Sequence, residues 1–455
     1  MTRAEIRAAK EKLNKEIAEF LKIQNHYFPY LIRDIKKVMD TRHQSYITYE
    51  IEVILYVMIL KNICSIVSMQ ELNYEFNEAK CVKNIYKILG LKEKEYLPHY
   101  VTINECLSKI ETSELEKIRK KMIYNLIRKK SFDGGKFLGQ HWLVIVDATQ
   151  LFKFDERHCE HCLTKTMDKG TLEEKTIYYH QVLEAKIVFG NDLIVSIATE
   201  FIENEKENPS KQDCELNSFK RLADSLKKMF PKLPICLLAD SLYASESIFK
   251  ICRKNKWEFL IRFKNGSIPT LAEDANAIIN MGEGEKEVVE INKTYKRKED
   301  EKLIHIMNWV NDLEYKDSVV TVMNLEVESK KTGKTRKVFQ WITSIRVTAR
   351  KAWEFAYTGR KRWMIENEGF NIQKNHRYII THANSLDYNA MKNHYLITQI
   401  SDMLLQLYEC GVKGLKIIKG TIENISKGLL ESLKKQKLVN ADLKFDKMQV
   451  RKDYS

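Results

Sequence analysis

Two short stretches constrain the fold more than any other. Leu143 to Gln150 reads Leu-Val-Ile-Val-Asp-Ala-Thr-Gln, four apolar, mostly β-branched residues running into an acid. Ile235 to Asp240 repeats the design as Ile-Cys-Leu-Leu-Ala-Asp. A continuous apolar run suits a strand covered on both faces, and open α/β sheets take ligands at the carboxyl ends of their strands. Placed side by side, two such strands bring Asp147 and Asp240 to one sheet edge. Close carboxylates repel unless a proton or a metal ion sits between them. A divalent metal is the expectation. The alternative is that each Asp only caps the turn that follows it.

A formal charge of +14 over 455 residues points to a polyanion, usually nucleic acid. Charge alone does not separate DNA from RNA or from an acidic membrane surface. With 44% hydrophobic and 10% aromatic residues the chain can build cores and is not of the disordered class. Met1 to Lys22 is dense in Lys, Arg and Glu, unlike a signal peptide. The longest apolar run, which contains Ile54 to Leu60, is far short of the roughly 20 residues a membrane span needs. Nine scattered cysteines fit a reducing cytoplasm better than a disulfide framework.

Residues 1–135 read as helical. Thr2-x-x-Glu5 is a capping-box pattern, followed by an apolar stripe of Ile6, Leu13, Ile17, Phe20 and Leu21. Ile51 to Leu60 reads as a buried helix, with shorter ones at Gln70 to Phe76 and Val82 to Leu89. Further boxes at Thr102-x-x-Glu105 and Ser113-x-x-Glu116 break the chain into short helices. These suit a helix-turn-helix DNA reader or any small helical bundle. Arg119-Lys120-Lys121 and Arg128-Lys129-Lys130 are phosphate-binding candidates or solvated helix faces.

Phe132-Asp133-Gly134-Gly135 marks a boundary, after which the texture is α/β. Strands are expected at Leu143 to Ala148, Tyr178 to Val188 and Leu193 to Ile202, the last two flanking Gly190-Asn191-Asp192. A helix over Cys214 to Phe230 leads to the second acidic strand, then come a helix at Ser247 to Lys254 and a strand at Glu258 to Phe263. Four more strand-like runs follow at Glu285 to Tyr295, Lys302 to Val310, Ser318 to Val327 and Arg336 to Ile345. Leu386 to Leu407 returns to helix, apolar on one face, and the tail after Gly411 is rich in Lys.

The order strand, strand, strand, helix, strand, helix, strand is that of the ribonuclease H-like fold. With Val146-Asp147-Ala148-Thr149, Ala239-Asp240-Ser241-Leu242-Tyr243 and the stretch Gly359 to His376, the chain resembles the DDE transposases of bacterial insertion sequences over most of residues 60–405. The family pattern Tyr-x2-Arg-x3-Glu-x6-Lys is matched by Arg362 and Glu366, which share one helix face. Gly359 stands at the Tyr position, Gln373 at the Lys position, and Lys374 one residue late. The resemblance implies a catalytic triad of Asp147, Asp240 and Glu366, with Arg362 and Lys374 on DNA phosphates. Without the strand acids, Arg362 and Glu366 are a surface ion pair.

The resemblance further implies an α/β fold. A ribonuclease H-like mixed-sheet catalytic core (136–265 and 346–410) is interrupted by a β-rich insertion (266–345). An all-helical N-terminal DNA-binding domain (1–135) precedes it, and a helical basic tail (411–455) follows. In some relatives an aromatic of the insertion stacks on a flipped base; Trp309 and Trp341 are the candidates here, with a core position as the alternative for each.

Three carboxylates suit metal-assisted phosphoryl transfer, with Mg²⁺ (Mn²⁺ substituting) held by Asp147, Asp240 and Glu366. The expected partners are double-stranded DNA, as element ends and target, and a second copy of the chain in a homodimer; none is a membrane. The expected location is the cytoplasm, on the nucleoid. The rival readings are a catalytically silent DNA-binding protein and a metal-dependent nuclease without strand transfer. Separately, Cys159-x-x-Cys162, with His158 and His161 adjacent, is half of a Zn²⁺ site. His180, Cys214, Cys236 and Cys252 are the residues that could complete it in space.

Overall fold

The computed structural model describes residues 15–156, 158–190, 193–205, 211–295, 298–412, 415 and 421–443. The Thr2/Glu5 box, Ile6 and Leu13, the turn residues Asn191 and Asp192, and tail residues 444–455 lie outside them. Among the described residues seven helices come first: α1 (Glu16–Tyr27), α2 (Leu31–Ile35), α3 (Ile51–Ile63), α4 (Met69–Phe76), α5 (Ala79–Leu89), α6 (Tyr100–Leu107) and α7 (Thr112–Ile127). Helix α4 starts with a true capping box between Ser68 and Glu71. The other two expected boxes are corrected. His99 caps α6 and Thr112 opens α7, so Thr102 and Ser113 lie inside helices. A turn preceding each pattern had already set the helical start.

Ten strands follow among the described residues: β1 (Trp142–Phe154), β2 (Leu163–Met167), β3 (Lys175–Phe189), β4 (Leu193–Ile202), β5 (Ile235–Ala239), β6 (Glu258–Arg262), β7 (Glu285–Tyr295), β8 (Lys298–Tyr315), β9 (Ser318–Ser329) and β10 (Thr335–Thr343). Between or after them lie α8 (Glu215–Met229), α9 (Glu246–Asn255), α10 (Pro269–Asn280), α11 (Ala349–Arg360), α12 (Tyr388–Gly411), α13 (Ile422–Lys435) and α14 (Asn440–Leu443). The strands form one mixed sheet in the order β2-β3-β1-β5-β6-β10-β9-β8-β7, with β4 beside β3. β3 runs antiparallel to β1, whereas β5 and β6 run parallel to it.

The residues at 266–345 do not form a detached β unit. Trp341, Ile342 and Thr343 of β10 pair with Arg262, Ile261 and Leu260 of β6, so these strands prolong the central sheet. The exposed edge of β6 invites this, because an unpaired strand edge leaves a row of backbone donors and acceptors open.

Alternation along β1 and β5 explains their apolar runs. Val144, Val146, Ile235, Leu237 and Ala239 enter the core shared with the N-terminal helices. Leu143, Ile145, Cys236 and Leu238 enter a second core on the other face, with Trp309, Trp341, Phe355 and Ile365. A strand covered on both faces needs apolar residues at every position.

Helix α12 is buried along most of its length and around its circumference, not on one face only. It threads between α1, α3, α6 and α7 on one side and β4 on the other. The N-terminal helices therefore share a core with the sheet. Arg119 is corrected as a phosphate candidate: it is 1% exposed and donates to Ser196 and Thr199 beside the buried Glu184 carboxylate. The tail folds back as α13 onto α5 and α1, and Lys434 pairs with Glu75 and Glu78.

Candidate active site

The site is built on the parity of three parallel strands. The paired rungs Ile145↔Leu238 and Leu238↔Leu260 put β1, β5 and β6 in step. Two residues further along stand Asp147, Asp240 and Arg262. With a side-chain period of two, all three fall on the face of the second core, the face against which Ile365 and Phe370 pack. β1 does not end at its acid. It continues to Phe154, pairing with β3 through Asp147↔Glu184 and beyond, while β5 stops at Ala239.

Each strand acid uses one oxygen locally. Asp147 Oδ1 accepts from the Ala148 N–H at 3.0 Å, and Asp240 Oδ1 accepts from the Leu242 N–H at 2.8 Å, capping the turn Ser241–Tyr243. The capping alternative is thus part of the truth for Asp240, yet it occupies only one of the two carboxylate oxygens.

The third acid arrives on a helical segment after α11. Arg362 Nη1 lies 3.6 Å from Asp147 Oδ2, and its Nη2 lies 2.7 Å from Glu366 Oε1. One guanidinium therefore ties the segment to the strand. Burial pushes the Asp147 carboxyl up to about 7; Arg362 opposes this, while Glu215, Glu366 and Asp240 add to it. Glu215, missed in the sequence, opens α8 and accepts from the Tyr243 hydroxyl at 2.7 Å. Burial raises its carboxyl too; the Tyr243 bond opposes this and Asp240 adds to it. Nothing but the start of an amphipathic helix distinguished Glu215 in the sequence.

Ile365–Asn371 and Gln373–Arg377 are π-helical, with wider turns than an α-helix. Hydrogen bonds from i to i+5 place about one more residue in each turn. The residue that returns to the face of Glu366 is then later than in an α-helix. Lys374, one residue late by the family spacing, feels the Asp147 carboxylate, although burial lowers its ammonium pKa overall. Gln373 is fully buried, donating to Gln399 Oε1 at 3.1 Å and Asp402 Oδ2 at 2.9 Å. Behind it Arg377 pairs with Asp402 and Glu409, clamping the segment onto α12.

Gly359 has its own reason. A Cβ there would lie 2.4 Å from Trp341 Cε2, so the indole fills the space a larger residue would need. Trp341 and Trp309 are 1% and 0% exposed, in the second core. The base-stacking expectation for both is corrected: neither ring has a face open to a base, because both supply the packing beneath α11. Trp363, beside Arg362, is 46% exposed.

Arg262 is a second cation the sequence did not single out. Its guanidinium lies over the Phe339 ring at 4.9 Å and near Arg362, whose charge adds to burial in lowering its pKa. Acids and bases are thus interleaved on one face.

Among the described residues, the Cys/His/Asp/Glu group whose ligand atoms all lie within 4.8 Å of one another is Cys159, Cys162 and His180. The three acids stand further apart, with Arg362 between two of them. Among the described residues no helix is long and apolar enough to cross a membrane.

No curated protein matches this chain. Residues 204–401 match the family model described as Transposase DDE domain, a stretch that contains Asp240, Arg362, Glu366 and Lys374 and begins after Asp147. Across that stretch the resemblance to the DDE transposases, drawn from the strand acids and the Arg-x3-Glu segment, is borne out.

Proposed function

We propose that the chain is a DNA transposase that binds the ends of its element, then cuts and rejoins DNA through Asp147, Asp240 and Glu366. The observation that carries this reading is the matched position of Asp147 and Asp240, each two residues beyond the paired rung Ile145↔Leu238, with Glu366 joined to Asp147 through Arg362. The strand order β4-β3-β1-β5-β6 supports a ribonuclease H-like core.

The donor set fits a hard divalent cation. Burial raises the proton affinity of the Asp147 carboxyl, so that group is poorly satisfied as it stands, and Mg²⁺ or Mn²⁺ takes carboxylate oxygens while keeping several waters. When bound by Asp147, Asp240 and Glu366, the metal would activate an attacking oxygen and stabilise a leaving one. The chain's own cations do the positioning. Arg362, Lys374 and Arg262 surround the acids and offer charge-assisted hydrogen bonds to phosphate oxygens. The Arg362 guanidinium, which lies between Asp147 and Glu366, would be in position to hold a phosphodiester presented to those acids.

Double-stranded DNA from just outside the reading frame, incubated with the protein and Mg²⁺ or Mn²⁺, tests this. Cuts at defined ends together with joined products support a transposase. Cuts without joining point to a nuclease. Specific binding with no cut in either metal points to a silent DNA-binding protein.

A further inference from the structure

We propose that Cys159, Cys162 and His180 form a zinc site, independent of the strand acids, that pins the loop after β1 to β3 beside the start of α12. The argument is first geometric. Cys159 Sγ and Cys162 Sγ are 3.7 Å apart, and His180 Nε2 is 3.4 Å from the first and 3.3 Å from the second. Zinc–sulfur arms of 2.3 Å meeting at the tetrahedral angle set two sulfurs about 3.8 Å apart, and a zinc–nitrogen arm sets the nitrogen about 3.5 Å from each. The three observed edges match one face of that tetrahedron.

Burial and surroundings add to the geometry. His180 is 2% exposed and Cys162 4%. The Nδ1 of His180 is buried without a hydrogen-bond partner, so the polar function of the ring lies in Nε2, on the side of the two sulfurs. Its orientation is fixed by stacking on Tyr388, at 4.6 Å and 20°, and by the edges of Phe152 and Phe154. The loop is set as well: the Asn204 side chain donates to the Cys162 carbonyl at 2.7 Å, and His161 Nδ1 donates to the Asn204 carbonyl at 2.9 Å. Cys159 and His180 also border a cavity of about 470 Å³ that Glu156 and His158 help line, which gives the fourth position access to solvent or to a loop side chain.

Two thiolates and an imidazole are softer ligands than magnesium takes, and thiolate with imidazole in a tetrahedral set selects zinc. Its consequence is mechanical. The loop from 155 to 162 joins β1, which carries Asp147, to β2, and Tyr388 is the first residue of α12. A metal there cross-links the loop to β3, which no disulfide joins, beside the first turn of α12 that stacks on His180.

The test uses the full chain, expressed in zinc-supplemented medium and purified under reducing conditions without chelator. About one zinc per chain is expected after dialysis. The Cys159→Ser/Cys162→Ser double variant should retain less than about a tenth of that, and Asp240→Ala should retain all of it. Cobalt loaded into the wild-type chain should show thiolate-to-metal absorption, and X-ray absorption of the zinc form two sulfur neighbours. Wild-type chain that is folded by circular dichroism yet holds no zinc and gives no cobalt–thiolate band would overturn the site. A Cys159–Cys162 disulfide in metal-free protein would do the same. Neither readout involves DNA, so failure here is separate from failure of the transposase reading.

Discussion

Asp147 and Asp240 stand at the same step of two adjacent parallel strands, each two residues beyond the paired rung Ile145↔Leu238. That relationship follows from matching apolar runs of matching parity, and it puts both carboxylates on the face where the Glu366 segment packs. The site's behaviour under substitution follows from which side chains share this face and which only support it.

In the proposed reading Arg362 serves the site and adds little to the fold. Its partner Glu366 is half exposed, and pairs of this kind contribute only about 0–1 kcal/mol. Arg362→Ala should leave thermal stability within about 0.5 kcal/mol of wild type. DNA affinity should fall, and the slope of log affinity against log salt should shrink by about 1. With about eight phosphates contacted, the wild-type slope should be near −7. A slope unchanged by the substitution would remove Arg362 from the DNA contact.

The π-helical turns separate two neighbours. Lys374→Ala should weaken DNA binding with little loss of stability. Gln373→Ala leaves Asp402 and Gln399 short of buried partners and should cost about 1–3 kcal/mol in denaturant unfolding, with DNA affinity per folded molecule retained. The reverse pattern would mean that the segment follows α-helical spacing.

Gly359→Ala drives a methyl group into Trp341 and should destabilise the protein by about 1–3 kcal/mol or displace the indole. Tryptophan fluorescence and unfolding midpoint report both. An unchanged midpoint with unchanged emission would contradict the close packing.

Arg119→Met removes the cation beside buried Glu184 and should cost about 3–5 kcal/mol. The salt dependence of DNA binding should stay as in wild type, because Arg119 is inside the protein. A reduced salt slope would return it to the DNA surface.

His394 is buried against Asn104, donating at 2.8 Å, and desolvation followed by the Lys61 charge holds its pKa down at about 3. In the unfolded chain the ring protonates near its ordinary 6.5, so the unfolded state binds more protons between those values. Stability should fall as pH drops from about 6.5 toward 3, by at most about 1.4 kcal/mol per pH unit from this group. His394→Gln should flatten that part of the profile. An identical profile in the variant would assign the loss to other groups.

The sequence disclosed most of the strands because their signals are local: unbroken apolar runs at Leu143 and Ile235, and alternation from Glu285 to Ile345. It did not disclose that β10 joins β6, because strand pairing is a long-range choice that either edge could satisfy. Asp147, Asp240, Arg362 and Glu366 were readable from position and spacing. Lys374 was readable only as a departure, since the π turns that bring it toward Asp147 leave no mark in residue spacing. Arg262 and Glu215 reach the site through register and burial, and Trp309 and Trp341 leave it for the same reason. Arg119 looked like surface charge because its partner Glu184 lies 65 positions away in the chain.

The most direct test of the three-acid claim is the metal-dependent cleavage rate of Asp147→Asn, Asp240→Asn and Glu366→Gln beside wild type, on the same DNA ends and in Mg²⁺ and Mn²⁺. Each substitution replaces a carboxylate by an amide with little change of shape. Each should lower the rate by at least about a thousandfold, with DNA affinity and circular dichroism retained. Any one of the three cutting at close to the wild-type rate would contradict the assignment of that residue, and all three doing so would contradict the site.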